Sequence, residues 1–240
     1  MGKVIRSIVA LALAGASVPL GAQVAGAGHD KRFELTDPAS VAPRLLLPAP
    51  PPAGSPEEAR ELASVRAILA AASPARLDQA RRDDATEDPS IFDDAIGVKL
   101  ERLPATWAML KLVQNDADRA GDLAKDYFHR TRPWGVDPSL PNCDAGKGKK
   151  PTKSYPSGHS LLGYSVGLTL ASLAPERAGA ALARARDYAE SRLVCGAHFP
   201  SDVEASHVLG SIVADRLLHD SRLAPRIAAA RAELTKALGR

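Results

Sequence analysis

Six prolines, Pro56, Pro74, Pro104, Pro175, Pro200 and Pro225, each head a stretch whose apolar residues recur every three or four positions. Proline suits the first turn of a helix, where its missing N–H would have no partner anyway, and it breaks a helix interior. The spacing therefore predicts separate helices, each started by its own proline. Ser55-Pro56-Glu57-Glu58 reads as a capping box, so one helix is expected from there to about Ala72, and Ser73-Pro74 restarts another. A third begins near Pro104 and carries Trp107, Leu110, Val113, Ala117, Ala120 and Ala124 as one apolar stripe. From Ser157 onward, Leu161, Leu162, Val166, Leu168, Leu170 and Leu173 suggest a mostly buried helix. Pro175 opens one that ends before Gly196, Pro200 one with Val203, Val208, Leu209, Ile212, Val213 and Leu217, and Pro225 a last amphipathic one.

Composition points the same way. Alanine occurs 44 times against 10 aromatic residues, which favours helices over a sheet built on aromatic packing. No convincing strand and no internal repeat is present. The expected fold is all-α, a single-domain compact helical bundle over residues 55–240. The chain carries 31 Lys and Arg against 28 Asp and Glu, a net +3, and two of those cations, Lys3 and Arg6, lie in an expected leader. So little net charge argues against a nucleic-acid partner held by bulk electrostatics.

The first 54 residues differ from the rest. Lys3 and Arg6 precede an apolar run, Ser7 to Leu20, followed by small-residue sites at Ala22 and Ala25-Gly26-Ala27. This is the pattern of a cleaved export signal over residues 1–27, with cleavage after Ala22 or Ala27, and its apolar run is too short to span a bilayer. No later segment is apolar for long enough to span either, and the expected location is the periplasm. Residues 28–54, with Leu47-Pro48-Ala49-Pro50-Pro51-Pro52, are expected to run as an extended arm strapped across the domain. In an oxidising compartment Cys143 and Cys195, the two cysteines of the chain, are expected to form a disulfide.

Three segments carry chemistry. Lys125 and Arg132 stand seven apart, with Pro133 next; Pro156-Ser157-Gly158-His159 is a tight turn opening the buried helix; Ser191-Arg192 precedes His198 by five intervening residues, and Asp202 follows after three more. A Ser-Gly pair at a helix N-terminus offers backbone N–H groups and a favourable dipole to an anion. Asp202, in the first turn after Pro200, can reach back to one imidazole nitrogen of His198, leaving a lone pair on the other, which is a nucleophile's arrangement. Taken singly, each has a bland reading: Ser157 as a plain N-cap, His198 and Asp202 as a surface ion pair. His159, His198 and Asp202 could also be read as metal ligands, but Lys125, Arg132 and Arg192 would crowd a cation. Those cations suit a phosphomonoester, whose transition state spreads negative charge over its equatorial oxygens.

The ordered set Lys-x6-Arg-Pro, Pro-Ser-Gly-His and Ser-Arg-x5-His-x3-Asp resembles the signature of the type-2 phosphatidic acid phosphatase superfamily at every fixed position. More narrowly it resembles the class A bacterial non-specific acid phosphatases, through Ala120-Gly121-Asp122-Leu123, Ser154-Tyr155 and Val194-Cys195-Gly196 as well, over roughly residues 45 to 235. The resemblance implies that His198 attacks phosphorus and forms a phosphohistidine, that Asp202 orients it, and that His159 protonates the leaving group and later activates water. It implies phosphate contacts from Lys125, Arg132, Ser157, Gly158 and Arg192, with no metal and no cofactor. The implied substrates are small phosphomonoesters including nucleotides, and a homo-oligomer is compatible with the sequence. Trp134, where the family usually has phenylalanine, Phe199-Pro200, and a lysine-rich loop from Gly135 to Lys153 depart from the pattern and leave substrate preference open. Two alternatives stand beside this expectation: a vanadate-dependent haloperoxidase, which shares the signature, and a non-catalytic phosphate-binding protein, which would need neither histidine. Lys147, Lys149, Lys150 and Lys153 are expected to bring positive charge to the pocket rim.

Overall fold

The computed structural model describes Gly2 and residues 33–143 and 150–239. The expected leader apart from Gly2, the first residues of the arm, Lys147 and Lys149 lie outside them. Among the described residues there is helix and no strand.

Seven longer helices follow in order: α1 (Pro56–Ala71), α2 (Pro74–Ala85), α3 (Pro104–Phe128), α4 (Gly158–Leu173), α5 (Ala178–Val194), α6 (Pro200–Leu218) and α7 (Ala224–Ala237). The proline rule holds at the starts of α1, α2, α3, α6 and α7. Ser55 and Ser73 accept from the Glu58 and Arg76 N–H groups, with proline at the first helical position in each case. Pro175 instead opens a 3-10 turn, Pro175–Arg177, that runs straight into α5. Leu103 gives α3 no side-chain cap, and the Glu233 carboxylate on α7 takes its place, accepting from the N–H groups of Ala105 and Thr106 and from the Thr106 hydroxyl. A long-range carboxylate thus supplies what the local sequence lacks.

Helix α4 is the centre of the bundle. Its apolar residues go nearly all the way round, and Leu161, Leu162, Val166 and Leu170 are fully buried among α3, α5 and α6. A helix without a polar face has to be enclosed, and that places its N-terminus at the meeting point of its neighbours. Pro156 to His159 lies there.

The arm straps the domain, but it is not extended throughout. Pro38–Val41 forms a 3-10 turn capped by Asp37, and Pro43–Leu46 forms a single α turn, each begun by proline; residues 47–52 then run without helix. The reason is the rule already met at the larger helices, proline pre-set for a first turn. The N–H groups of Glu34, Leu35 and Thr36 donate to the Asp116 carboxylate buried on α3, and the Tyr155 hydroxyl donates to the Pro48 carbonyl at 2.8 Å.

Cys143 and Cys195 are joined, as the pair of cysteines predicts. The bridge closes a loop of 52 residues, worth about 4 kcal/mol in restricted unfolded chain. Beside it Gly196 has φ +60°, and a Cβ there would lie 2.4 Å from the Pro141 carbonyl oxygen, so this turn between α5 and His198 requires glycine. No described helix is long and apolar enough to cross a membrane.

Candidate active site

The three motif segments converge at the start of α4. The Ser157 N–H donates to the Asp202 carbonyl and the Ser206 hydroxyl to the Ser157 carbonyl, which locks the Pro-Ser-Gly-His turn onto the first turns of α6. Ser157 is the N-cap of α4: it accepts from the Ser160 N–H and is completely buried. The plain N-cap reading and the phosphate-cradle reading are therefore compatible. Gly158 is the first residue of α4, and a Cβ there would lie 3.2 Å from Lys125 Nζ and 3.7 Å from Glu87 Oε1. A side chain would crowd the ammonium against the helix start, which is a physical reason for glycine.

His198 is 1% exposed. Its Nδ1 lies 2.8 Å from the Ser154 carbonyl, an acceptor only, so Nδ1 carries the proton and Nε2 the lone pair. One Arg132 Nη lies 3.1 Å from that Nε2 and 3.2 Å from the Ala197 carbonyl. Asp202 Oδ2 stands 3.4 Å from Nδ1, within ion-pair reach as the spacing suggests, and the Ser154 carbonyl makes the closer contact. The reason is competition, since Oδ2 already accepts from the Ser154 hydroxyl at 2.6 Å and the Phe199 N–H at 2.8 Å, while Oδ1 accepts from Arg130 at 2.7 Å. Asp202 thus faces the imidazole and also holds Ser154, whose carbonyl meets Nδ1. Burial pushes the Asp202 carboxyl up, and the Arg130 guanidinium works against that push.

His159 sits more openly. Its Nε2 is 3.2 Å from the Asp84 carbonyl, and its Nδ1 is 3.4 Å from Glu87 Oε1, a side chain 55% exposed. Asp84 also serves through its side chain, whose carboxylate accepts from Arg192 at 2.5 Å, with the arginine 1% exposed. The last turn of α2 thereby holds both a candidate phosphate arginine and the candidate acid. Burial lowers the Lys125 pKa below its ordinary value, countered by Asp122 and reinforced by Arg132. Crowded, desolvated cations of this kind are what an arriving phosphate dianion would relieve.

Sequence reasoning passed over Arg130, Glu61, Asp84 and Glu87. Only Arg130 left a signal, as a second arginine two residues before Arg132 in the first motif segment. Of the departures from the family pattern, Phe199 is fully buried beneath the Arg130 guanidinium, 4.1 Å from its ring centre, and bears on the support of the site. Lys153 pairs with Asp126, and Lys150 is exposed. Among the described residues no group of three His, Cys, Asp or Glu side chains could hold a metal ion.

Comparison with known proteins agrees with this geometry. Residues 108–222 match the PAP2 superfamily model. The acid phosphatase of Zymomonas mobilis is 33% identical over 99% of this chain and 93% of its own length. The non-specific acid phosphatase of Salmonella typhimurium is 36% identical over 53% of this chain and 52% of its own, and that of Providencia stuartii 30% identical over 75% of each. With a helical bundle that gathers every motif residue at one helix start, the chain belongs to the PAP2 superfamily, among its class A bacterial acid phosphatases.

Proposed function

We propose that this phosphatase is exported to the periplasm and hydrolyses a broad range of phosphomonoesters, nucleotides among them, through a phosphohistidine on His198. The observation that carries the reading is the bonding of that imidazole: Nδ1–H is spent on the Ser154 carbonyl, so the lone pair of Nε2 points to the side where Arg132 stands. A lone pair backed by a fixed proton and facing a cation suits in-line attack on a phosphoryl group drawn in by that cation. Arg132 then exchanges Nε2 for a phosphate oxygen, Lys125, Arg192 and the Ser157-Gly158 turn take the others, and His159 delivers a proton to the departing oxygen before activating water. A guanidinium at Nε2 also fits a metal poorly, in keeping with chemistry that needs no cofactor.

The disulfide supports export, since such bonds persist in oxidising compartments. Breadth of substrate is supported by the exposure on the His159 side and by the two relatives named as non-specific acid phosphatases. Because His159 starts protonated and His198 neutral, and a free imidazole titrates near about 6.5, activity is expected to peak on the acid side of neutrality and to survive EDTA. The test is a rapid quench into alkaline denaturant, in which an N–P bond survives, during turnover of p-nitrophenyl phosphate labelled at phosphorus. Label should appear on His198 and be absent from His198→Ala, which should have no turnover; full activity of that variant overturns the reading.

A further inference from the structure

Behind Asp202 the buried network does not stop. The Arg130 guanidinium, 3% exposed, donates from one Nη to Asp202 Oδ1 and the Ser201 hydroxyl, both at 2.7 Å, and from the other to Glu61 Oε2 at 2.5 Å. Glu61, on α1, accepts in addition from the Ser201 N–H at 2.8 Å and the Ser201 hydroxyl at 2.9 Å. The Arg130 carbonyl accepts the Ser154 N–H at 3.1 Å, so Arg130 also anchors the residue whose carbonyl holds His198. One arginine thus joins the nucleophile's support to a carboxylate that lies well before the family-matched segment, residues 108–222.

We infer that Glu61, acting through Arg130, is a positioning residue that makes the support of the nucleophile net anionic. With both carboxylates ionised, Asp202 and Arg130 alone sum to zero, and Glu61 brings the group to one negative charge. That sign matters in the step proposed above, on which this inference rests. As the N–P bond to Nε2 forms and the P–O bond to the leaving group breaks, the leaving oxygen keeps the bonding pair and takes its proton from His159. The imidazole, still protonated at Nδ1, becomes an N-phosphorylated imidazolium. Positive charge appears on His198 in the transition state and not before, so an anion fixed behind it lowers the barrier and leaves ground-state binding alone. Burial makes the effect sizeable: Asp202 is 0% and Glu61 16% exposed, so solvent screens the charge only partly.

The test is Glu61→Gln, which keeps the size and an oxygen acceptor for Ser201 and removes the charge, alongside Glu61→Asp, which keeps the charge. Rapid quench into alkaline denaturant, in which phosphohistidine survives, measures on labelled p-nitrophenyl phosphate the rate at which phosphoenzyme forms, with KM and melting temperature measured on the same preparations. Glu61→Gln should form phosphoenzyme about tenfold more slowly or worse, with KM within about twofold of wild type, and Glu61→Asp should recover much of the rate. A phosphorylation rate in Glu61→Gln within about twofold of wild type overturns the inference, as does a loss confined to KM or an equal loss in both variants. If Glu61→Gln does not fold, Glu61→Asp decides alone: phosphorylation near the wild-type rate supports a charge role, and a loss of about tenfold overturns it. If wild type itself yields no phosphoenzyme, the phosphohistidine reading has failed, and that outcome is distinct from every variant result.

Discussion

His198 is 1% exposed and surrounded by partners that are themselves held, Ser154, Arg132, Asp202 and, one layer back, Arg130 and Glu61. His159 keeps 14% of its side chain in solvent, bonds one backbone carbonyl and leans towards a glutamate more than half exposed. The difference fits the roles proposed for the two sides. A nucleophile that becomes a cation would gain from a fixed, dry, anionic backing, whereas a group proposed to hand a proton to the leaving oxygen and then to take one from water would gain from room. The His198 side draws the Glu61 carboxylate from α1 and the His159 side the Asp84 carbonyl from α2, and both helices lie before the family-matched segment.

The largest expected effect breaks the open half. His159→Ala should slow an alkyl phosphate about 10²- to 10⁴-fold and p-nitrophenyl phosphate far less, because p-nitrophenolate leaves without a proton. Steady-state kcat/KM on the two substrates, which reports phosphoenzyme formation and not the later water step, checks this; equal losses would remove His159 from protonation of the leaving group.

The sealed half can be broken from within. Asp202→Ala takes from Arg130 its fully buried partner and strands the Ser154 hydroxyl and the Phe199 N–H, and breaking a buried pair in this way costs about 3–5 kcal/mol. Urea denaturation should show that loss, and adding Arg130→Met should recover part of it. Additive losses in the double variant would mean that the pair is not coupled.

Lys125→Met sharpens the boundary between the halves. Burial lowers the pKa of this lysine, so its charge opposes folding of the empty enzyme, and the inactive variant should melt above wild type. The sign can be followed with pH. The folded chain releases this proton before the unfolded chain does, so wild-type stability is lowest, relative to the variant, below the folded pKa. It should rise towards the variant's as pH climbs from there to the ordinary 10.5. Paired denaturation curves between pH 7 and about 10 test it; a constant difference counts against the lowered pKa.

The smallest effect belongs to Glu87. Its exposed carboxylate beside Lys125 and Gly158 opposes an incoming dianion, so Glu87→Gln should raise kcat/KM about two- to threefold at low salt, and the gain should shrink as salt is added. No change at low salt would leave this carboxylate without influence on capture.

Much of this architecture could be read in the chain because its determinants are local. A serine before Pro56 and Pro74, and proline at a first turn, act within a few residues, so helix starts were legible, and even the arm's short turns obey the same rule. The motif residues were legible as an ordered set, and the structure gathers them. The partner of His198 Nδ1 was not. Asp202, four residues away, is the neighbour that spacing suggests, and the carbonyl that makes the bond belongs to Ser154, 44 residues away in sequence.

By itself, then, the sequence determined the helical class, the order of the helices, the two cysteines available to pair and which side chains could handle a phosphate. Tertiary structure alone decided how those side chains are backed: Glu61 with Arg130 across 69 residues, Asp84 with Arg192 across 108, Glu233 over the start of α3. A buried charge must find an opposite charge or a hydrogen bond wherever packing brings one, and that requirement leaves no periodic trace along the chain.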